Sequence, residues 1–168
     1  GTRSRQIEQQ KIRKRNSKVW RAADPQDPLF SADSSPFFHL ARLVGLYQLR
    51  MDTHLKRVGM DMSRWRVLAI LHEENCAPMS RIAELAVFRI STTTKLIYRM
   101  ENEGLVSTAV SEQDGRVTEV RLSDKGRQSF ADVRSIASLI FERAFHDCDD
   151  QEIQLLLSLC RKLYHNLY

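Results

Sequence analysis

The sequence predicts a mainly α-helical fold with one small β-hairpin, and three observations lead there. Apolar residues recur at helical spacing through most of the 168 residues. Two short runs, one beginning at Leu105-Val106 and one over Val117 to Leu122, read as strands on either side of an Asp114-Gly115 turn. Capping and breaking residues fall where the periodicity changes. A chain of this length buries one good core, so one domain with an extension is expected.

The first 23 residues predict a polar helix. Ile7, Ile12, Val19 and Trp20 are too sparse for a full core face, with Trp20 the expected docking anchor if the arm is ordered. The region of Pro25, Pro28 and Pro36 reads as a linker, which places a basic extension and linker at residues 1–35. Residues 36–60 hold the next helix. Phe37, Leu40, Ala41, Val44, Tyr47 and Met51 form one stripe, and Leu43, Leu46 and Leu49 another. A helix apolar on two sides needs two partners.

Residues 61–122 carry the densest punctuation. Asp61 suits the N-cap of a helix with Trp65, Leu68 and Leu71 inside; Pro78 suits the first turn of a short helix with Ile82, Leu85 and Ala86 inside. A tight turn leads into a third helix, Ser91 to Met100, stopped at Gly104, and the hairpin follows. In residues 123–168, Ser123-Asp124 opens a helix with Phe130, Val133, Ala137, Ile140, Phe141 and Ala144 at helical spacing. Asp149-Asp150-Gln151-Glu152 is a capping box for the last helix, where Ile153, Leu156, Leu157, Cys160, Leu163, Tyr164 and Leu167 give one face and Leu155 and Leu159 another. Helix, short helix, second helix, hairpin, helix is the order of a winged helix-turn-helix, whose second helix has the size to lie in a DNA major groove. The unburied stripes at both ends then call for a second chain, and a C2 homodimer places two such helices on a pseudo-palindromic operator about one turn apart.

At about 100° per residue, Thr93, Leu96, Ile97 and Met100 share the inner face of the second helix. Ser91, Thr92, Lys95 and Arg99 share the outer one, with Tyr98 flanking and Arg89 at the helix entrance. Hydroxyls bond phosphate or base edges at short range, while Lys and Arg reach guanine O6 and N7 or neutralise phosphate. At the hairpin tip Arg116 is placed to enter a minor groove, with Asp114 orienting it by a bidentate pair.

The stretch from Met60 to Gly126 resembles the MarR family of bacterial transcriptional regulators. The residues that carry the resemblance are Arg64-Trp65-Arg66-Val67-Leu68-Ala69-Ile70-Leu71-His72, Arg99-Met100-Glu101-Asn102-Glu103-Gly104-Leu105-Val106, Asp114-Gly115-Arg116 and Leu122-Ser123-Asp124-Lys125-Gly126, in order and without a gap. With the flanking helices, the resemblance extends over residues 36–168. It implies a DNA-reading wing at Asp114 and Arg116, and a repressor released from double-stranded operator DNA by a small aromatic acid or its thioester. The effector is implied beneath the first helix, near His39, Arg42, Tyr47 and Trp65. The chain departs from the family at the start of the wing, where Thr108 and Ala109 replace two basic residues. It departs again at the recognition-helix N-cap, Arg89 in place of Ser, and at the turn between the DNA helices, Val87 in place of Gly.

The formal net charge of +5 is unevenly spread. Eight basic side chains against Glu8 give residues 1–23 a charge of +7, so residues 24–168 carry −2. The basic arm can therefore be disordered alone, touch DNA, or drape over the partner subunit. Three cysteines, Cys76, Cys148 and Cys160, without a C-x-x-C spacing predict a reduced cytoplasmic setting, as does the lack of a membrane-length apolar run or signal-peptide core. Neither His72 to Cys76 nor His146 to Asp150 gives a tetrahedral metal set, and no catalytic triad, phosphate loop or carboxylate pair is present, so no enzyme and no cofactor is expected. Two alternatives stay open: a redox-responsive regulator using Cys76, and an architectural nucleic-acid or partner-binding module using the arm.

Overall fold

A computed structural model describes residues 1–168. The chain divides into two compact units, Gly1–Leu49 and Arg50–Tyr168.

The first unit begins with two helices rather than one: α1 (Thr2–Arg15) and α2 (Lys18–Ala23). Ser17 separates them, its hydroxyl accepting from the Trp20 backbone N–H as an N-cap. Trp20, the docking anchor expected of an ordered arm, is 48% exposed within the single chain. The proline-rich stretch is folded back rather than slack. Asp27 accepts from the Arg21 guanidinium at 2.8 Å and from the Leu29 N–H at 2.9 Å, and the Ser31 N–H returns to the Ala22 carbonyl. Arg21 holds Asp27 below the usual carboxylate range through that hydrogen bond. A 3-10 turn at Ala32–Ser34 then leads to Pro36, the first residue of α3 (Pro36–Leu55), where proline's missing N–H costs nothing.

The second unit holds the core. Met51 and Leu55, at the end of α3, are fully buried there with Val67, Leu68 and Leu71 of α4 (Met62–Glu74). Asp61 caps α4 by accepting from the Arg64 N–H at 2.8 Å. Next come β1 (Cys76–Pro78) and α5 (Met79–Ala86). Pro78 therefore ends a strand and stands before the helix, not inside its first turn. The short strand pairs with the far strand of the hairpin, in register Ala77 to Val120, and makes a three-stranded antiparallel sheet. A three-residue edge strand ending in proline needs few ladder hydrogen bonds. On α5 the buried face is Met79, Ile82, Ala83 and Ala86, spaced i, i+3, i+4, i+7; Leu85 lies off that face and is exposed.

The recognition helix α6 (Ile90–Asn102) buries Thr93, Leu96, Ile97 and Met100, as its periodicity predicts. It stops at Gly104, whose φ of +78° is the left-handed conformation that ends helices. Strands β2 (Val106–Val110) and β3 (Thr118–Leu122) form the wing, paired Val106 to Leu122 through Val110 to Thr118. Helix α7 (Asp124–Ala144) returns across the core through Val133 and the half-buried Phe130, Ala137 and Ile140, whereas Phe141 is exposed. Asp149 and Glu152 close the reciprocal capping box of α8 (Asp150–Leu167), which buries no residue of its own.

Candidate nucleic-acid interface

Positioning α6 is the work of the turn that precedes it. The Phe88 N–H donates to the Ala83 carbonyl and the Val87 N–H to the Glu84 carbonyl, the two bonds that close a helix in the Schellman pattern. That pattern needs a left-handed residue, and here it is Val87, at φ +56° and ψ +45°. The Arg66 guanidinium sits over the Phe88 ring, 5.6 Å from its centroid, and ties the turn to α4. Arg89 then stands at the N-cap of α6 with no side-chain cap hydrogen bond, so its guanidinium is left to solvent.

At the other end α6 is held by its acidic residues. Glu101 accepts from both the N–H and the hydroxyl of Thr108, fastening the helix to strand β2. Glu103 accepts from Arg64 at 2.7 Å, and the same guanidinium donates to Asp61 at 2.7 Å, joining the end of α6 to the start of α4. Its bond to Glu103 raises the Arg64 pKa further, so the charge is permanent. Lys125 donates to the Glu103 carbonyl, Ser123 donates through its hydroxyl to the Gly104 carbonyl, and a Cβ on Gly126 would collide with the Leu105 carbonyl oxygen. These residues make the recognition helix rigid at its C-terminal end. The clamps of Arg64 and Lys125 onto Glu103 are not legible in the sequence, because these partners lie 39 and 22 residues apart along the chain.

With both ends fixed, the outer face presents free donors. Thr93 and Thr94 turn their hydroxyls back onto the carbonyls of Arg89 and Ile90, four residues earlier. The hydroxyls of Ser91 and Thr92 take no partner within the protein, and Lys95 makes no ion pair. Arg99 approaches Glu103 only to 3.9 Å, since that oxygen already serves Arg64. Tyr98 is half-exposed beside them.

Arg116 stands at the tip of the wing with its side chain 93% exposed. Its link to Asp114 differs from the bidentate pair expected. One carboxylate oxygen of Asp114 accepts the Arg116 backbone N–H at 3.0 Å and its Nε at 3.3 Å, leaving the other guanidinium nitrogens unpaired. Asp114 thus shapes the turn and tethers the arginine at its base, while the guanidinium fork stays free to bind.

The residues named for an effector are distributed. His39 and Arg42 line an open groove of about 570 Å³ on α3 with Leu43, Gly45, Leu46 and Leu49; Tyr47 is not among its lining residues. His39 lies 2.6 Å from the Asp33 carbonyl, and Arg42 sits over the Phe38 ring. Trp65, in the second unit, stacks on Phe130 at 5.3 Å, with His72 on Phe130 at 4.1 Å. Cys76 is half-buried, 3.7 Å from Glu119; burial pushes its thiol pKa up, with Arg121 opposing and Glu119 adding to the rise. A thiol held protonated is a poor oxidant sensor.

A family model described as MarR family matches residues 60–118, the segment from just before α4 to the start of β3. The HTH-type transcriptional repressor IacR of Pseudomonas putida is 38% identical over 144 residues, covering 86% of each chain. The chain belongs to the MarR family. It is a transcriptional regulator with the winged-helix DNA-binding fold, not an enzyme. Among solved structures, the PcaV transcriptional regulator from Streptomyces coelicolor, crystallised with its natural ligand, superposes with a TM-score of 0.73 at 19% identity, over 82% of this chain and 97% of that one. A mutant MarR from E. coli complexed with operator DNA gives 0.65 at 15% identity, over 76% and 94%. At those identities they establish a shared fold. No helix of this MarR-family chain is long and apolar enough to cross a membrane.

Proposed function

We propose that this regulator is a cytoplasmic, homodimeric repressor of transcription that reads double-stranded operator DNA with α6 and its wing, and that a small aromatic acid or its thioester releases it. The observation that carries the DNA reading is the outer face of α6. Ser91, Thr92, Lys95 and Arg99 stand exposed over a fully buried inner face, on a helix clamped at both ends. Lys95 and Arg99 face the major groove, Arg116 the minor groove, and Arg89 contacts phosphate at the helix entrance, with Asp114 holding the wing in shape. The relative IacR carries the name repressor, and the E. coli neighbour is seen on operator DNA.

The dimer rests on exposed apolar surface. Leu43 and Leu46 of α3, and Leu155, Leu157 and Leu159 of α8, are each between 42% and 59% exposed, far more than a lone domain leaves to water without a purpose. Residues 36–60 and 123–168 therefore supply the dimer contacts and residues 61–122 the DNA-binding region, with residues 1–35 an extension. The effector reading has the support of the ligand-bound PcaV neighbour and of the cation and polar aromatic in the α3 groove, Arg42 and His39; Tyr47 and Trp65 complete the residues to substitute. Binding acts by favouring a dimer whose recognition helices no longer match one-turn spacing.

Titration of operator duplex tests the DNA reading. Lys95→Ala and Arg116→Ala each weaken binding by about 1–3 kcal/mol per half-site and relax sequence preference; unchanged affinity in both contradicts it. Sedimentation showing a monomer at micromolar concentration contradicts the dimer. For the effector, linkage requires that operator DNA weaken effector binding by the factor by which effector weakens operator binding. Calorimetry with equal effector affinity for free and operator-bound protein rules that mechanism out.

A further inference from the structure

We infer that α1 and α2 form a second, sequence-blind DNA contact, a cationic arm that holds the phosphates of the duplex whose bases α6 reads. The inference rests on the DNA-binding reading above and deepens it.

The reading elements themselves are electrically balanced. Across residues 89–122, five basic side chains (Arg89, Lys95, Arg99, Arg116, Arg121) face five acidic ones (Glu101, Glu103, Glu112, Asp114, Glu119). Three of the acids are committed to fixing α6 and the wing tip, so this balance is part of the fold. Nonspecific attraction to duplex DNA comes from neutralising phosphates, and a body of charge −2 supplies none in net. The missing charge is in the arm, +7 over residues 1–23.

The arm presents that charge unspent. Every residue of α1 is exposed. Of the eight cations on α1 and α2 together, only Arg21 has an acidic partner, Asp27 at 2.8 Å; Arg3, Arg5, Lys11, Arg13, Lys14, Arg15 and Lys18 have none. Lys11 has Lys14 and Arg15 at i+3 and i+4, like-charge neighbours that cost stability in an isolated helix and are relieved by a polyanion. A lipid surface is the poorer fit to α1. Ile7 and Ile12 are its only large apolar residues and point about 140° apart, so α1 has no face to enter a headgroup layer, and the exposed apolar side chains of α2 are two adjacent residues, Val19 and Trp20. Duplex DNA, already held by the same chain, meets the arm at the high effective concentration that a tether creates.

The test uses the full chain with Arg13→Gln, Lys14→Gln and Arg15→Gln together, three exposed positions. Each cation that meets a phosphate contributes about 0.9 to the slope of log affinity against log salt. The triple variant is expected to lose about 2–3 units of slope per protomer, while its affinities for operator and for unrelated duplex fall by the same factor, leaving their ratio unchanged. Arg13→Lys with Arg15→Lys keeps the charge and is expected to keep the slope. An unchanged slope in the triple variant overturns the arm contact, as does a fall confined to operator, which would mean base reading. Loss of binding to anionic phospholipid vesicles with the DNA slope unaltered would reassign the arm to membranes and overturn it too. A wild-type chain that binds no duplex at all overturns the DNA-binding reading itself, an outcome distinct from failure of the arm alone.

Discussion

Val87 is a β-branched residue in a left-handed conformation, and replacing it by glycine should make the protein more stable. An L-residue pays about 1–2 kcal/mol in that region relative to the right-handed one, because Cβ crowds the following carbonyl. Glycine escapes this cost but adds back about 0.4–1 kcal/mol through the greater freedom of the unfolded chain. Little packing is at stake, since Val87 is 73% exposed. The difference favours Val87→Gly by about 0.5–1 kcal/mol, which at this chain length raises the thermal midpoint by about 1–4 °C. Gly104→Ala is the mirror experiment. At φ +78° an added Cβ meets only Lys125 Cδ at 3.7 Å, an ordinary contact, so the cost is confined to the backbone and the midpoint should fall by a similar amount. Thermal and urea denaturation of the two variants beside wild type provide the readout. A lower midpoint for Val87→Gly, with an unchanged urea slope, would refute the reasoning and show that the valine side chain is engaged.

Arg64→Met keeps the unbranched stem of the side chain and removes its guanidinium, leaving Asp61 and Glu103 without their shared partner. Both carboxylates are a third or more exposed, so solvent reduces the loss to about 1–2 kcal/mol, and operator affinity should fall with it as α6 loosens; denaturation and duplex titration unchanged from wild type would contradict this. Because burial raises the Cys76 pKa in the folded state, its stabilising contribution is fully present below the unfolded thiol value of about 8.5 and is lost as pH rises through the folded one. Wild type should therefore lose stability relative to Cys76→Ser as pH climbs from 8 to 10, and Cys76 should alkylate more slowly at pH 8 in the folded protein than in the urea-unfolded one; equal or faster alkylation in the folded protein would favour the redox reading.

Local signals were the legible ones. The inner and outer faces of α6 followed from periodicity because its buried residues all lie on one side of a thirteen-residue helix. The capping box at Asp149 and Glu152 followed because the motif is its own geometry. Strand β1 was hidden by its three-residue length and its terminal proline, and its partner β3 lies more than forty residues away. Leu85 was misplaced because a few apolar residues on a wheel do not say where the neighbouring element sits. The clamp of Arg64 on Glu103 spans 39 residues, so the sequence shows two charges and only the fold shows a pair. The single-oxygen tether of Asp114 was out of reach for a related reason: the Asx turn that occupies that oxygen depends on backbone conformation at the hairpin tip.

Hydroxyl-radical footprinting of the full chain on the DNA beside its own gene tests the central claim, that two copies of α6 and its wing read paired half-sites. The expected result is two protected patches about one helical turn apart, each flanked by minor-groove protection that Arg116→Ala removes. A single patch, or protection that spreads without sequence preference and vanishes with moderate salt, would contradict it.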